Sequence, residues 1–328
     1  MKFLIAGLGS IGRRHLRNLV ALGENDILLY RTHRGTLEDE ELAAFPVETE
    51  LAAALGQQPD AVIVSNPTAL HMSVAIPAAQ AGCTLFLEKP IASQLEELGA
   101  LEEVLNYRKN KVFSAYQFRF NPGLQKIKEL LEQGAIGRPL TFHCHWGEYL
   151  PDWHPWEDYR QSYAARRNLG GGVVLTLCHP LDYLSWLFGN VRELFAYTAK
   201  LSDLEVDVED TADALLQFEE GVQGSLHLDY FRQPKRHDLE ISGTSGTLCW
   251  DYESSAVRLA QGTQAEQVFP APEGFERNQM FVDEMRHFIQ VVKGEAEPLC
   301  TYADGKGSLE LAWGILQAGR YRQRVIFH

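Results

Sequence analysis

The stretch Thr84-Leu85-Phe86-Leu87-Glu88-Lys89-Pro90 runs from apolar residues straight into a carboxylate, an ammonium and a proline. A strand without polar alternation is what a parallel sheet covered on both faces produces. Ligands of such sheets bind beyond the carboxyl ends of the strands, so Lys89 stands where chemistry would be placed. A second candidate runs from Leu169 through Gly170, Gly171 and Gly172 into Val173-Val174-Leu175-Thr176-Leu177-Cys178-His179-Pro180-Leu181-Asp182. A glycine run opening an apolar helix implies that something approaches the helix start closely. Thr176, His179 and Asp182, each three apart, predict a shared polar face on that helix. Pro180 removes a helix hydrogen bond and predicts a kink beside His179.

A third motif lies near the start. Gly7-Leu8-Gly9-Ser10-Ile11-Gly12 fits G-x-G-x-x-G between a predicted strand and a predicted helix, the context that dinucleotide binding requires. Gly7 allows the tight turn, Gly9 lets the backbone approach a pyrophosphate, and Gly12 lets helix and strand pack closely. The helix N-terminus faces the anion. The acid that would hold an NAD ribose belongs about 20 residues further on. That position falls in Leu29-Tyr30-Arg31-Thr32-His33-Arg34, which has no acid, and Asp26 comes too early. Arg31 and Arg34 suit a 2′-phosphate better than free hydroxyls, which favours NADP over NAD.

Positioning these residues calls for two kinds of architecture. Strand patterns at Lys2 to Ala6, Asp26 to Tyr30, Asp60 to Ser65, Thr84 to Leu87 and Lys111 to Tyr116 alternate with helical ones at Ile11 to Leu22 and Leu70 to Ala81. Another helix starts at a capping box, Ser93-Gln94-Leu95-Glu96. This rhythm predicts a doubly wound parallel sheet, an α/β Rossmann domain over residues 1–120. Asn121-Pro122 then caps and opens a helix that ends near Gly134. Strands follow strands from Leu140 to Tyr252, with helices at Phe275 to Val292 and Gly305 to Ala318. Residues 121–328 are therefore expected to form an α+β domain with a mostly antiparallel sheet and helices on one face.

The 328 residues suffice for two domains, and 45% hydrophobic content is enough for a sizeable core. The net charge of −14 argues against nucleic acid or an anionic membrane as partner. No apolar run is long enough to span a bilayer, and Phe3-Leu4-Ile5-Ala6 is too short for a signal-peptide core. Five cysteines without C-x-x-C spacing read as reduced and cytoplasmic. His143-Cys144-His145 places two imidazoles on one strand face with no further ligand cluster in sight, so no metal is expected. Asp207-Val208-Glu209-Asp210 reads as a solvated loop.

Taken together, these motifs resemble the Gfo/Idh/MocA family of sugar and polyol dehydrogenases. The matching residues are Gly7 to Gly12, Asn66-Pro67-Thr68, Glu88-Lys89-Pro90, Phe118-Arg119-Phe120-Asn121-Pro122 and the helix from Gly170 to His179, in the same order along the whole chain. The resemblance implies an NAD(P)-dependent oxidoreductase acting on a CH–OH group of a sugar or sugar derivative, with Lys89 and His179 as its catalytic residues. It also implies that the mostly antiparallel sheet of residues 121–328 is open and that this domain serves substrate binding and oligomerisation. Lys89 would stabilise a developing alkoxide, and His179 would take or return its proton. Cofactor contacts are expected at Gly7, Gly9, Ser10, Ile11, Gly12, Arg31, Arg34, Ser65, Asn66, Pro67, His71, Glu88 and Lys89. Substrate contacts are expected at Tyr149, Arg160, Tyr163, Thr176 and His179, within an aromatic and arginine-rich segment from Trp146 to Arg167. Where many members carry an aspartate one turn before the histidine, this chain has Thr176, so Tyr149 or Tyr163 could share proton transfer. Alternatives are a reductase of a non-sugar carbonyl and a catalytically weak dinucleotide-binding regulator. Because exposed strands of an open sheet must be covered or paired, a homodimer or homotetramer joined through the second sheet is expected.

Overall fold

The structure, a computed structural model, describes residues 1–32 and 40–327. It divides into two compact units, of 1–117 with 168–170 and 277–306, and of 118–167 with 171–276 and 307–328.

The first unit alternates strands and helices: β1 (Phe3–Ala6), α1 (Ser10–Ala21), β2 (Ile27–Tyr30), β3 (Val47–Glu48), α2 (Leu51–Gly56), β4 (Ala61–Val64), α3 (His71–Gln80), β5 (Thr84–Glu88), α4 (Leu98–Arg108) and β6 (Val112–Ala115). Among the described residues the six strands form one parallel sheet in the order β3-β2-β1-β4-β5-β6. The order reverses between β1 and β4, and at that switch point doubly wound sheets bind their ligands. β1, β4 and β6 are buried at every residue, as expected of strands covered on both faces. The pair β3 and α2 is too short to leave a periodic signal in the sequence.

The second unit contains α5 (Pro122–Glu132), β7 (Pro139–Gly147), α6 (Val173–Thr176), α7 (His179–Phe188), β8 (Val191–Ala199), β9 (Thr211–Phe218), β10 (Gln223–Asp229), β11 (Arg236–Gly243), β12 (Thr247–Asp251), β13 (Ala256–Ala260) and β14 (Gln267–Phe269). α8 (Arg277–Val292) belongs to the first unit, and α9 (Tyr302–Tyr321) leads from it to β15 (Val325–Ile326) in the second. The described strands form a nine-stranded sheet, β14-β13-β12-β11-β7-β10-β9-β8-β15, antiparallel except where β7 meets β10. Burial alternates along β8 and β9. One face is covered, while the other leaves Phe195, Tyr197 and Leu215 more than half or about half exposed (50%, 73% and 62%).

Several expectations change on contact with the structure. The division at residue 120/121 leaves α8 in the second domain, yet its Phe288 packs on Phe3, Phe86 and Phe113 of the first sheet at 5.1–6.5 Å between ring centroids. A late segment that returns to an early sheet gives no composition signal at the crossing. The capping box forms one residue later than read: Gln94 is the cap, and Glu97 accepts from the backbone N–H groups of Ser93 and Gln94. His145 does acquire ligand-type neighbours, because the register sets it opposite His227 of β10, two residues before Asp229.

Candidate functional site

In the first unit the loops after β1, β4 and β5 are tied into one assembly. Gly7 has φ +97°, a value only glycine adopts readily, and a Cβ there would collide with the backbone of Asn66. A Cβ on Gly12 would strike the carbonyl oxygen of Gly7, whereas Gly9 faces open space. Two glycines are thus required by packing, and the third leaves an approach open. α1 begins at Gly9 with no side-chain cap, so its first N–H groups remain for an anion. The loop fits a pyrophosphate on this evidence. The Ser65 hydroxyl donates to the carbonyls of Ala6 and Gly7 (3.2 and 2.8 Å) and pins β4 to the glycine loop.

His71 is 1% exposed, and its nitrogens address the carbonyls of Asn66 (2.9 Å) and Ile91 (3.2 Å). Burial holds its pKa below the ordinary value. It joins the loops after β4 and β5 and presents no donor outward, contrary to the expected cofactor contact. Arg31 follows β2 directly, and its backbone N–H bonds the carbonyl of Glu48. Arg34 lies outside the described residues.

At the tip of β5 the Glu88 carboxylate is buried, which by itself raises its pKa. The hydrogen bond from Nε2 of His15 at 2.7 Å and the neighbouring charges reverse this, so Glu88 is held below the usual range. Its other oxygen accepts the backbone N–H of Lys89 at 3.1 Å. Glu88 therefore fixes the main chain at Lys89 and anchors it to α1. The Lys89–Pro90 bond is cis, and Lys89 is half-buried.

In the second unit the glycine-run helix is broken in two. Leu177 leaves the helical region (φ −93°, ψ 36°), α7 starts afresh at His179, and Pro180 sits in its first turn. No interior hydrogen bond is lost there, so no kink arises. What approaches the glycines is the chain itself. A Cβ on Gly171 would meet the carbonyl of Tyr163, and one on Gly172 (φ +115°) would meet the Glu209 carboxylate.

His179 is 2% exposed and packs against Phe118 (4.9 Å) and Trp146 (5.6 Å, nearly parallel). Trp146 stacks flat on His237 at 4.3 Å, and His237 bonds the Tyr183 hydroxyl at 3.0 Å. An aromatic shelf thus fixes the imidazole plane of His179. Asp182, expected on the polar face, is instead engaged by Arg119 through Nε (3.0 Å) and Nη2 (2.7 Å), with both side chains buried. Breaking such a pair on one side costs about 3–5 kcal/mol, so its role is to lock the start of α7. Thr176 ends α6, and its hydroxyl lies beside the phenol of Tyr230, which burial pushes well above the ordinary value.

Tyr149 and Tyr163 are half-buried at the starts of short turns. Arg160 is bound by Asp158 (2.8 Å) and Glu205 (3.1 Å), so its charge is already answered within the chain. Arg167 donates from its backbone N–H to the Asp207 carboxylate and from Nη2 to the Asp207 backbone carbonyl. Sequence reading missed Glu209. The solvated-loop expectation fails because Asp210 is buried, accepting from Leu201 and Ser202, and Glu209 is packed against Gly172, accepting from Val174 N–H. Burial raises the Glu209 carboxyl to about 7. The glycine run is the one sequence cue that something packs there, and nothing in the sequence points to Glu209 as that neighbour.

Comparison with known proteins agrees with the fold of both units. Residues 1–116 match the oxidoreductase family model described as an NAD-binding Rossmann fold, and residues 124–249 match the GFO/IDH/MocA C-terminal domain. Myo-inositol 2-dehydrogenase of Thermotoga maritima is 27% identical over 343 residues, covering 99% of this chain and 98% of that protein. A levoglucosan dehydrogenase solved with NADH and levoglucosan superposes with TM-score 0.88 at 20% identity, over 99% of both chains. The WlbA dehydrogenase from Bordetella pertussis, solved with NADH and UDP-GlcNAcA, gives 0.83 at 24% identity, over 100% of this chain and 99% of that one.

Proposed function

Because this chain belongs to the GFO/IDH/MocA family of NAD-binding oxidoreductases, we propose that it interconverts a hydroxyl and a ketone on a sugar or sugar derivative. The observation that carries this reading is the tip of β5. There Glu88, clamped by His15, fixes the backbone of Lys89 at the carboxyl end of the sheet that also holds the glycine loop. The relatives act on a cyclitol and an anhydrosugar by name, and a related compact polyol or sugar is the substrate class proposed here.

A bound dinucleotide would supply a nicotinamide that accepts or donates a hydride. Gly7, Gly9 and the first turn of α1 would hold its pyrophosphate, and Arg31 would meet a ribose 2′-phosphate, which would make NADP the preferred form. Lys89 donates a hydrogen bond to the reacting oxygen and stabilises the charge that develops on it. His179 takes the hydroxyl proton in oxidation and returns it in reduction, with its ring plane set by Phe118 and Trp146. The Arg119–Asp182 pair keeps α7, and hence His179, in place. Tyr149 and Tyr163 line the substrate side.

Among the described residues no helix is long and apolar enough to cross a membrane. The five cysteines form no disulfide with one another, and a cytoplasmic location is part of the proposal. Assembly occurs through the open face bearing Phe195, Tyr197 and Leu215. A screen of keto-sugars, inososes and simple ketones for NADPH oxidation, with polyols and NADP in the reverse direction, tests the reading. Turnover confined to non-sugar carbonyls would move the substrate class. Tight cofactor binding without turnover on any of them would make the protein a dinucleotide-binding regulator.

A further inference from the structure

On the open face of the second sheet three adjacent strands set polar side chains side by side. In the parallel ladder of β7 and β10, His145 stands opposite His227. In the antiparallel ladder of β10 and β9, His227 stands opposite Asp213. Asp229, two residues beyond His227, shares this face. It lies opposite Gly147, where a Cβ would collide with its carboxylate oxygen. The glycine is what leaves room for that carboxylate.

Three donor atoms converge here. Nε2 of His227 is 3.1 Å from Oδ2 of Asp229, and Nε2 of His145 is 3.7 Å from the same oxygen. All three ligand atoms lie within 4.8 Å of one another. With bonds of about 2.0–2.2 Å in a tetrahedron, ligand atoms around zinc stand roughly 3.3–3.6 Å apart, so the observed spacings need only small rotamer adjustments. Nδ1 of His227 lies 2.6 Å from Asp213. With that nitrogen donating to Asp213, Nε2 of His227 is aimed at Oδ2 of Asp229, where a metal would take the place of the shared proton. Nε2 of His145, hidden from solvent and with no hydrogen bond among the described residues, is the third atom of the group.

We propose that His145, His227 and Asp229 form a binding site for a divalent transition metal, zinc being the ion this ligand set suits, with Asp213 orienting His227. A carboxylate behind a ligating histidine is the usual outer support of such sites. Two imidazoles and one carboxylate leave the outer position for water or for a group from a second copy docked on this face. The site lies on the face of β7 opposite Trp146, which packs on His179. Its role is structural: it clasps β7 to β10, the one parallel pairing among the described strands of this sheet.

The test uses the full chain with any histidine tag removed. Zinc content is measured by mass spectrometry on protein expressed in zinc-supplemented medium, and again after chelation and dialysis against zinc. The account expects one zinc per chain, and cobalt in its place should give the intense visible bands of a four-coordinate ion. His145→Ala and His227→Gln should each abolish stoichiometric uptake while keeping the circular dichroism spectrum. Asp213→Asn should weaken binding about 10–100-fold. His143→Ala, on the same strand and face but outside the cluster, should bind as the parent does. Substoichiometric zinc in the parent under both conditions would overturn the proposal, and so would equal uptake in His145→Ala and His227→Gln. Those outcomes would leave the cluster a proton-bridged hydrogen-bond chain.

Discussion

Replacing Glu209 by glutamine isolates the energetic consequence of a carboxyl wedged against the glycine run. Burial moves its pKa from the ordinary 4.5 to about 7, against the opposing hydrogen bond from Val174 and the charge of Arg167, and with a smaller push from Asp210. The folded protein therefore holds this proton more tightly than the unfolded chain does. The favourable contribution is complete below pH 4.5 and is lost as pH rises through about 7. At about 1.4 kcal/mol per pH unit the full loss is on the order of 3 kcal/mol, an upper bound because Glu209 retains some solvent exposure. Glutamine keeps an oxygen for Val174 N–H and cannot ionise. Glu209→Gln should thus match the parent near pH 4.5 and exceed it increasingly up to pH 8. Urea midpoints measured across that range for both proteins provide the assay. Parallel profiles, or a parent that gains on the variant as pH rises, would refute the reasoning.

Two further predictions concern binding and assembly. Fluorescence titration should show NADPH binding more tightly than NADH, with Arg31→Ala narrowing the gap by about tenfold or more, as expected for loss of a charge-assisted contact; equal affinities in the parent would remove the assigned preference. Light scattering should find a dimer or tetramer at micromolar concentration, and Leu215→Glu on the open face should shift it toward monomer. A monomeric parent would contradict assembly through this sheet.

The parallel sheet was legible because each of its longer strands is an apolar run bounded by turn signals, and the glycine loop because packing dictates two of its three glycines. The end of β5 was equally readable, since Pro90 forbids the buried run from continuing as a strand past Lys89. Partners distant in sequence were not legible. His15 with Glu88 and Arg119 with Asp182 lie 73 and 63 residues apart, and no local pattern announces either pair. The face shared by Thr176, His179 and Asp182 assumed one continuous helix, whereas Leu177 interrupts it. The glycine run gave a correct expectation of close approach but not of what approaches, because Tyr163 and Glu209 arrive from loops without periodicity. His145 looked ordinary until strand register placed His227 beside it.

The central claim is that Lys89 polarises the reacting oxygen. The measurement that tests it most directly is the single-turnover rate of nicotinamide oxidation in Lys89→Met, with NADPH affinity measured on the same protein and the substrate found by the screen. Methionine keeps most of the apolar stem and removes the charge. Loss of one preorganised donor is expected to slow turnover about a hundredfold or more, roughly 3–4 kcal/mol in the transition state. NADPH affinity should change far less, since in the proposed binding mode the phosphates sit at the glycine loop and α1 rather than at Lys89. His179→Ala should slow turnover by a smaller factor if a tyrosine shares the proton transfer. A Lys89→Met variant that turns over at the parent's rate would contradict the account and return the tip of β5 to a structural strand end.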